Sequence, residues 1–95
     1  MKRLRYSLSA ALDLEAIYST IAADNQSAGL RVIAHIRSME NLLAEYPGMG
    51  RASEVPDALK LAVPGLPYKI IYEADELTDE LIILRIYHGA RNPAY

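Results

Sequence analysis

The spacing of hydrophobic residues changes along this chain, and the order of the changes restricts its possible folds. Residues 2–8 alternate between apolar and polar, which predicts a half-buried strand. Helical spacing follows at 10–22, with Ser9 as the candidate N-cap, and again from the break at 24–25 to about residue 46. Because the connection between these helices is short, we expect an antiparallel helical hairpin whose apolar faces need a sheet to cover them.

The second half of the chain predicts strands. Residues 47–57 contain two Pro and two Gly, which indicates a loop. Three runs rich in β-branched and aromatic residues follow, at 58–63, 67–74 and 80–89. The last run is apolar at both odd and even positions, as expected for a strand covered on both faces, so we expect it inside the sheet. The prediction is an α+β fold of order β-α-α-β-β-β, with the helical hairpin packed on a mainly antiparallel four-stranded sheet.

Length and composition exclude several classes of protein. A chain of 95 residues predicts one domain, spanning 1–95, and 52% hydrophobic residues argue against disorder. The net charge of -2 argues against binding nucleic acid mainly through its phosphates. The absence of cysteine predicts a reducing, cytoplasmic compartment and excludes Cys-based zinc sites. No apolar run approaches the roughly 20 residues of a spanning helix, so we expect a soluble protein that does not bind membranes.

No metal or cofactor is expected either, because the two histidines are distant and no Gly-rich loop joins a strand to a helix. The candidate functional residues instead gather near the C-terminus: Arg85, Tyr87, His88, Arg91 and Tyr95. The two arginines could bind a phosphate or carboxylate through paired hydrogen bonds, and the histidine could exchange a proton near neutral pH. In the alternative interpretation, Arg85 pairs with an acid on a neighbouring strand, Tyr87 packs, and the others are solvated residues at the chain end.

Two further cations are candidates. Lys69 could share a sheet face with Arg85, but a register slip of one residue would reverse that placement. Arg51, in the predicted loop, could reach a partner or could simply be solvated. By contrast, His35 is predicted to be a surface residue, and the acidic stretch 73–80 is predicted to be a solvated hairpin tip without function.

Four segments together resemble ParE-type toxins of the RelE/ParE superfamily. They are Leu8-Ser9, residues 42–51, the Tyr-x-Ile-x-Tyr strand at 68–72, and the closing Arg-x-x-His-Gly-x-Arg at 85–91. They occur in family order over nearly the whole chain. The resemblance implies the same β-α-α-β-β-β fold that the hydrophobic spacing predicts.

The resemblance also implies a bacterial type II toxin that inhibits growth, acts in plasmid stabilisation and is neutralised by a cognate antitoxin, ParD-like or similar. ParE-like members inhibit DNA gyrase, whereas RelE-like members cut messenger RNA at the ribosome and are usually strongly basic. The acidic net charge favours gyrase as the target. We therefore expect a non-catalytic toxin that does not bind DNA directly and contacts its target through Arg51, Arg85, His88, Arg91 and Tyr95.

Two alternatives remain open at this point. A ribosome-dependent endoribonuclease would place Arg85 and Arg91 on the phosphate and use His88 as acid or base, with Lys69 and Tyr95 completing the set. An inactive toxin-like module would only bind the antitoxin.

Overall fold

The computed structural model describes residues 1–90 of the 95-residue chain. The predicted α+β class and element order are confirmed, and a two-residue strand that the sequence did not predict adds a fifth strand to the sheet. In chain order the elements are β1 (Arg3–Tyr6), α1 (Leu8–Ala22), α2 (Gln26–Glu45), a 3-10 turn (Pro47–Met49), β2 (Arg51–Ala52), β3 (Leu59–Ala62), β4 (Tyr68–Asp75) and β5 (Glu80–His88).

The five strands form one mixed sheet in the order β1-β5-β4-β3-β2. Strand β1 runs parallel to β5, whereas the other neighbours are antiparallel. The apolar strand β5 therefore lies between β1 and β4, inside the sheet as predicted. Its register passes from Arg85 opposite Ile71 to Ile83 opposite Tyr72, which leaves Leu84 as the extra residue of a β-bulge. The bulge sends Ile83 and Arg85 to opposite faces of the sheet.

Helix α1 is capped by Ser7, two residues before the predicted cap Ser9. The Ser7 hydroxyl oxygen accepts the N–H of Ala10 at 3.0 Å and donates to the carbonyl of Leu84 at 2.8 Å. The N–H of Ser7 also donates to the carbonyl of Ile83 at 2.9 Å. Because these bonds to β5 fix Ser7 where β1 ends, the sheet determines where the helix begins.

Both helices pack on one face of the sheet. Their buried side chains meet alternate residues of β4, as the spacing of two along a strand requires, and residues of β5 that alternate except across the bulge at Leu84. The largest members of this core are Leu14 of α1, Ile36 and Leu43 of α2, and Ile70, Tyr72, Leu81, Ile83 and Ile86 of the sheet. No helix within residues 1–90 is long and apolar enough to cross a membrane.

Candidate functional site: a cationic sheet face

A row of three cations crosses the sheet on the face opposite the helices. Arg51 pairs with Lys60, Lys60 pairs with Ile71, and Ile71 pairs with Arg85. Residues directly opposite each other on neighbouring strands project to the same face. Ile71, in the middle of the row, is fully buried. The row spans four strands, so residues from distant parts of the chain share one surface.

A second row lies beside the first. Here Ala62 pairs with Lys69, and Lys69 pairs with Tyr87. Lys69 and Arg85 therefore share a sheet face, a placement that the sequence alone could not decide. We define the cationic face by five residues: Arg51, Lys60, Lys69, Arg85 and Tyr87. Lys60 also donates to Glu54 at 2.8 Å, so part of its charge is balanced within the chain.

Arg51 reaches this face because the chain beside it approaches the sheet closely. A Cβ on Gly50 would lie 2.6 Å from the hydroxyl of Tyr72 and 2.8 Å from the carbonyl oxygen of Lys60. Only glycine fits such an approach without a shift of its neighbours. The Gly-Arg pair, which the sequence suggested as part of a family motif, thus joins a loop to the edge of the sheet.

Arg85 is held by a carboxylate from α1. Its Nε donates to Asp13 Oδ2 at 2.8 Å and its Nη2 donates to Asp13 Oδ1 at 3.2 Å. The same Oδ2 accepts the backbone N–H of Ile86 at 2.8 Å, so Asp13 also completes the edge of β5. The alternative interpretation expected an acid on a neighbouring strand, and the structure corrects this, because the acid comes from the helix. The paired, charge-assisted geometry is among the strongest kinds of hydrogen bonding.

His88 lies on the other face of the sheet from Lys69. Its partner in the register is Tyr68, and the two rings meet edge to face with centroids 5.9 Å apart. Tyr68 packs against the core beneath the helices, which identifies that face. The ring Nδ1 of His88 also accepts the N–H of Ala90 at 3.2 Å. The structure therefore separates His88 from Lys69. The candidates Arg91 and Tyr95 lie outside the described residues.

The acidic stretch forms a solvated tip, as predicted, since the side chains of Glu76 and Asp79 are 80% and 71% exposed, but some of its acids also pair with cations of β1 and its flank. Lys2 donates to Glu76 at 3.0 Å and to Asp79 at 3.5 Å, and Arg5 donates to Glu80 at 3.3 Å. The hydrogen bond with Glu76 raises the pKa of Lys2. We call this region the hairpin end and define it by Lys2, Arg3, Arg5, Glu76, Asp79 and Glu80.

His35 is exposed, as predicted, but its ring makes a contact that the sequence did not indicate. Its Nε2 lies 2.7 Å from the carbonyl oxygen of Pro64, in the turn between β3 and β4. The contact ties α2 to that turn. Among residues 1–90 there is no cluster of three or more His, Asp or Glu side chains suited to a metal ion.

A buried acid, Glu40, was missed by the sequence analysis. It is fully buried, and the hydroxyl of Tyr6 donates to its Oε1 at 2.6 Å, while Oε2 has no hydrogen-bond partner among the described residues. Burial raises its pKa, against the smaller opposing effects of Tyr6 and Arg37. Its position four residues after Ile36 places it on the apolar side of α2, and this spacing was a usable signal.

A groove of about 380 Å³ lies between the two helices near Tyr6. Its walls are mainly apolar, with Arg37 and Glu15 also contributing. The apolar and aromatic lining comprises Tyr6, Ala11, Leu14, Tyr18, Leu30 and Ile33. Leu30 remains 56% exposed, so the groove presents apolar surface that the described part of the chain does not cover.

Known proteins match this chain over nearly its whole length. The sequence model of the ParE toxin of type II toxin-antitoxin systems, parDE, matches residues 4–93. The chain belongs to this ParE toxin family. It is also 33% identical over 88 residues to "Putative toxin Y4kP" of Sinorhizobium fredii, covering 93% of this chain and 88% of that protein. The resemblance drawn from the sequence is confirmed.

Solved structures match the fold as well. A chain of the chromosomal ParDE system from P. aeruginosa superposes with a TM-score of 0.79 and 28% identity, covering 93% of this chain and 96% of that one. The isolated E. coli RelE toxin gives a TM-score of 0.72 with 14% identity, covering 97% and 88%. The likeness to RelE concerns the fold. The chain is a toxin of the ParE family of type II toxin-antitoxin systems.

Proposed function

We propose that this toxin inhibits DNA gyrase in the bacterial cytoplasm by binding it through the cationic face, without catalysing bond cleavage. One observation carries the choice between the two targets. Arg85 is engaged by Asp13, and His88 lies on the opposite sheet face from Lys69. Acid-base cleavage needs its proton donor and its phosphate-binding cations within reach of one reacting group. The engagement of Arg85 by Asp13 and the separation of His88 from Lys69 therefore support binding rather than cleavage.

The charge distribution supports a protein target. The net charge of -2 gives the whole molecule no general attraction for a polyanion, whereas the cationic face offers a local surface for acidic side chains. We infer that an acidic patch on gyrase docks there, with Arg51 and Lys69 as its contacts. Membership of the ParE family supports the same target, because the resemblance implied gyrase for ParE-like chains. No direct binding of DNA by the toxin alone is proposed.

The experiment compares the two activities with purified components. Gyrase supercoiling and messenger RNA cleavage on translating ribosomes are measured side by side for the wild type and His88→Ala. We expect loss of supercoiling, no ribosome-dependent cuts, and little effect of the substitution. If the chain were a nuclease, the substitution would lower RNA cleavage by about 10²- to 10⁴-fold. Ribosome-dependent RNA cleavage with intact gyrase supercoiling would overturn the proposal. A folded protein that is inactive in both assays would favour a module that only binds antitoxin.

We further propose that a cognate antitoxin, ParD-like or similar, neutralises the toxin by covering the groove between the helices. The E. coli RelBE toxin-antitoxin complex shares this fold, with a TM-score of 0.71 and 14% identity. In this chain Leu30 lines the groove and is 56% exposed, so it supplies apolar surface for a partner. A helix or added strand of a partner is the usual cover for such a surface.

A matched pair of leucine substitutions tests the antitoxin site. Leu30→Asp places a charge in the groove, whereas Leu77→Asp places one at the hairpin turn, where the side chain is 98% exposed. We expect co-expression with the adjacent antitoxin gene to give a stable heteromer for Leu77→Asp and a weakened one for Leu30→Asp. Equal co-elution of both variants in size exclusion would place the antitoxin elsewhere.

A further inference from the structure

The hydroxyl of Tyr72 connects the centre of the sheet to the loop before β2. The Tyr72 ring is fully buried in the core beneath the helices. Its hydroxyl donates to the carbonyl oxygen of Pro47 at 2.7 Å and accepts the N–H of Gly50 at 2.9 Å. One oxygen thus satisfies two backbone groups, one at the first residue of the 3-10 turn and one just after the turn. The loop is held where it meets the sheet.

We infer that Tyr72 is a positioning residue for the toxin, because its hydroxyl sets the backbone that places Arg51 on the cationic face. The inference rests on the proposed function only in taking Arg51 as a contact to the target. Arg51 directly follows Gly50, so a shift of the Gly50 backbone moves the start of β2. Tyr72 itself lies on the helix side and would not touch the target.

Strand pairing alone holds Arg51 weakly. Strand β2 has two residues, and its register consists of Arg51 opposite Lys60 and Ala52 opposite Leu59. It is one of the two edge strands of the sheet, and within residues 1–90 only β3 pairs with it. Such a short pairing has little stability of its own. The bonds to Tyr72 supply the additional anchor just before the strand starts.

The hydroxyl and the ring have separable roles. The ring fills core volume, and Phe would preserve this packing. The hydroxyl is the group that reaches the loop, and removing it leaves the N–H of Gly50 and the carbonyl of Pro47 without that partner. Burial raises the pKa of Tyr72, so the hydroxyl keeps its proton and can still donate to Pro47 at neutral pH.

The two glycines of the loop provide a matched control. Gly50 has a φ of -76°, which any residue can adopt, so its requirement is for space rather than for an unusual conformation. A Cβ there would lie 2.6 Å from the Tyr72 hydroxyl, whereas a Cβ on Gly48 would meet nothing within 4 Å. Gly50→Ala therefore disturbs the contact from the loop side, and Gly48→Ala leaves it intact.

The test combines amide hydrogen exchange with a double-mutant cycle. In the toxin, we expect Tyr72→Phe and Gly50→Ala to speed exchange of the residue 50 amide by about tenfold, and Gly48→Ala to leave it unchanged, because a tenfold change corresponds to the typical strength of one such bond. In the supercoiling assay, Tyr72→Phe and Arg51→Ala should each raise the half-inhibiting concentration. The double variant should inhibit no more weakly than Arg51→Ala alone.

The outcomes separate this inference from the proposed function. Unchanged exchange in Tyr72→Phe, or a double variant weaker by the product of the two single effects, would overturn the positioning role. If the wild type does not inhibit gyrase, the proposed function fails, and the exchange rates together with the Arg51 side-chain NMR signals then decide the inference. Those signals should shift in Tyr72→Phe and Gly50→Ala but not in Gly48→Ala. If Tyr72→Phe does not fold, Gly50→Ala takes its place in the cycle.

Discussion

The hairpin end and the cationic face belong to one sheet but differ in where the partners of their cations come from. At the hairpin end, the cations of β1 and its flank face the acids of the turn between β4 and β5, and the pairs lie within 3.0–4.0 Å. On the cationic face, the paired strands bring basic residues together, and the carboxylates come from outside the sheet face, from Asp13 and Glu54. The net charge of -2 averages over both regions, so it does not describe the surface that a partner meets.

The difference follows from topology. Because β1 is parallel to β5, its first residue, Arg3, lies opposite Glu80 at the start of β5. The turn before β5 is itself fixed by Asp75, which accepts the N–H groups of Leu77 at 2.9 Å and Thr78 at 3.3 Å. These backbone bonds, with that of Thr78 the stronger influence, lower the pKa of Asp75. The acids are thereby held where the N-terminal cations can reach them.

The largest stability effect should come from the acid that engages the cationic face. Asp13→Ala removes both bonds to Arg85 and the acceptor for the Ile86 N–H, in a pair whose side chains are 16% and 24% exposed. Loss of one partner of such a pair should lower the free energy of unfolding by about 2–3 kcal/mol. Asp13→Asn can still accept from Ile86 and should lose less. Urea denaturation measures both variants, and equal losses would show that the backbone bond contributes nothing.

Sequence analysis predicted the fold better than it predicted the surface. Hydrophobic spacing is local, so it located both helices and the four longer strands. Strand β2 consists of two exposed residues and is too short to show an alternating hydrophobic pattern. The helix cap at Ser7 depends on hydrogen bonds to β5, which residue spacing does not reveal. The bulge at Leu84 decides to which face of the sheet the Arg85 side chain projects. The contact of Arg85 with Asp13 joins residues 72 positions apart in the chain. Register and long-range contacts of this kind leave no signal in residue spacing.

An intermediate effect is expected at the buried contact in which the hydroxyl of Tyr6 in β1 bonds to Glu40 of α2. Burial raises the pKa of Glu40 above 4.5, so the folded protein binds this proton more tightly than the unfolded chain does. Its contribution to stability is therefore greatest at low pH and is lost as the pH rises through the raised value. Each pKa unit corresponds to about 1.4 kcal/mol.

Glu40→Gln removes this titration and isolates its contribution. We expect the wild type to lose stability relative to the variant over the pH interval that begins at about 4.5 and extends upward, measured as the difference in free energy of unfolding at each pH. The variant retains an acceptor for the Tyr6 hydroxyl. A difference that is independent of pH over this interval would show that Glu40 is ionised in the fold at an ordinary pKa.

The smallest effect belongs to the exposed pairs of the hairpin end. Glu80→Gln weakens its contacts with Arg3 at 4.0 Å and Arg5 at 3.3 Å, but these arginine side chains are 74% and 64% exposed. Exposed pairs typically contribute about 0.2–1 kcal/mol, and salt screens them. Urea denaturation at low and high salt should show a loss below about 1 kcal/mol that shrinks with salt. A larger loss that salt leaves unchanged would mean that the hairpin end is stabilised by something other than exposed charge pairs.

Reversing the same number of charges in each region tests most directly whether the cationic face carries the activity. One variant combines Arg51→Glu with Lys69→Glu, and the other combines Arg3→Glu with Arg5→Glu, so both change the net charge equally. In the gyrase supercoiling assay, with folding checked by circular dichroism, we predict that the half-inhibiting concentration rises about tenfold or more for the cationic-face variant, as for the loss of about 1.4 kcal/mol of binding free energy. The hairpin-end variant should inhibit like the wild type. Equal loss of inhibition in both folded variants, or loss only at the hairpin end, would contradict the account.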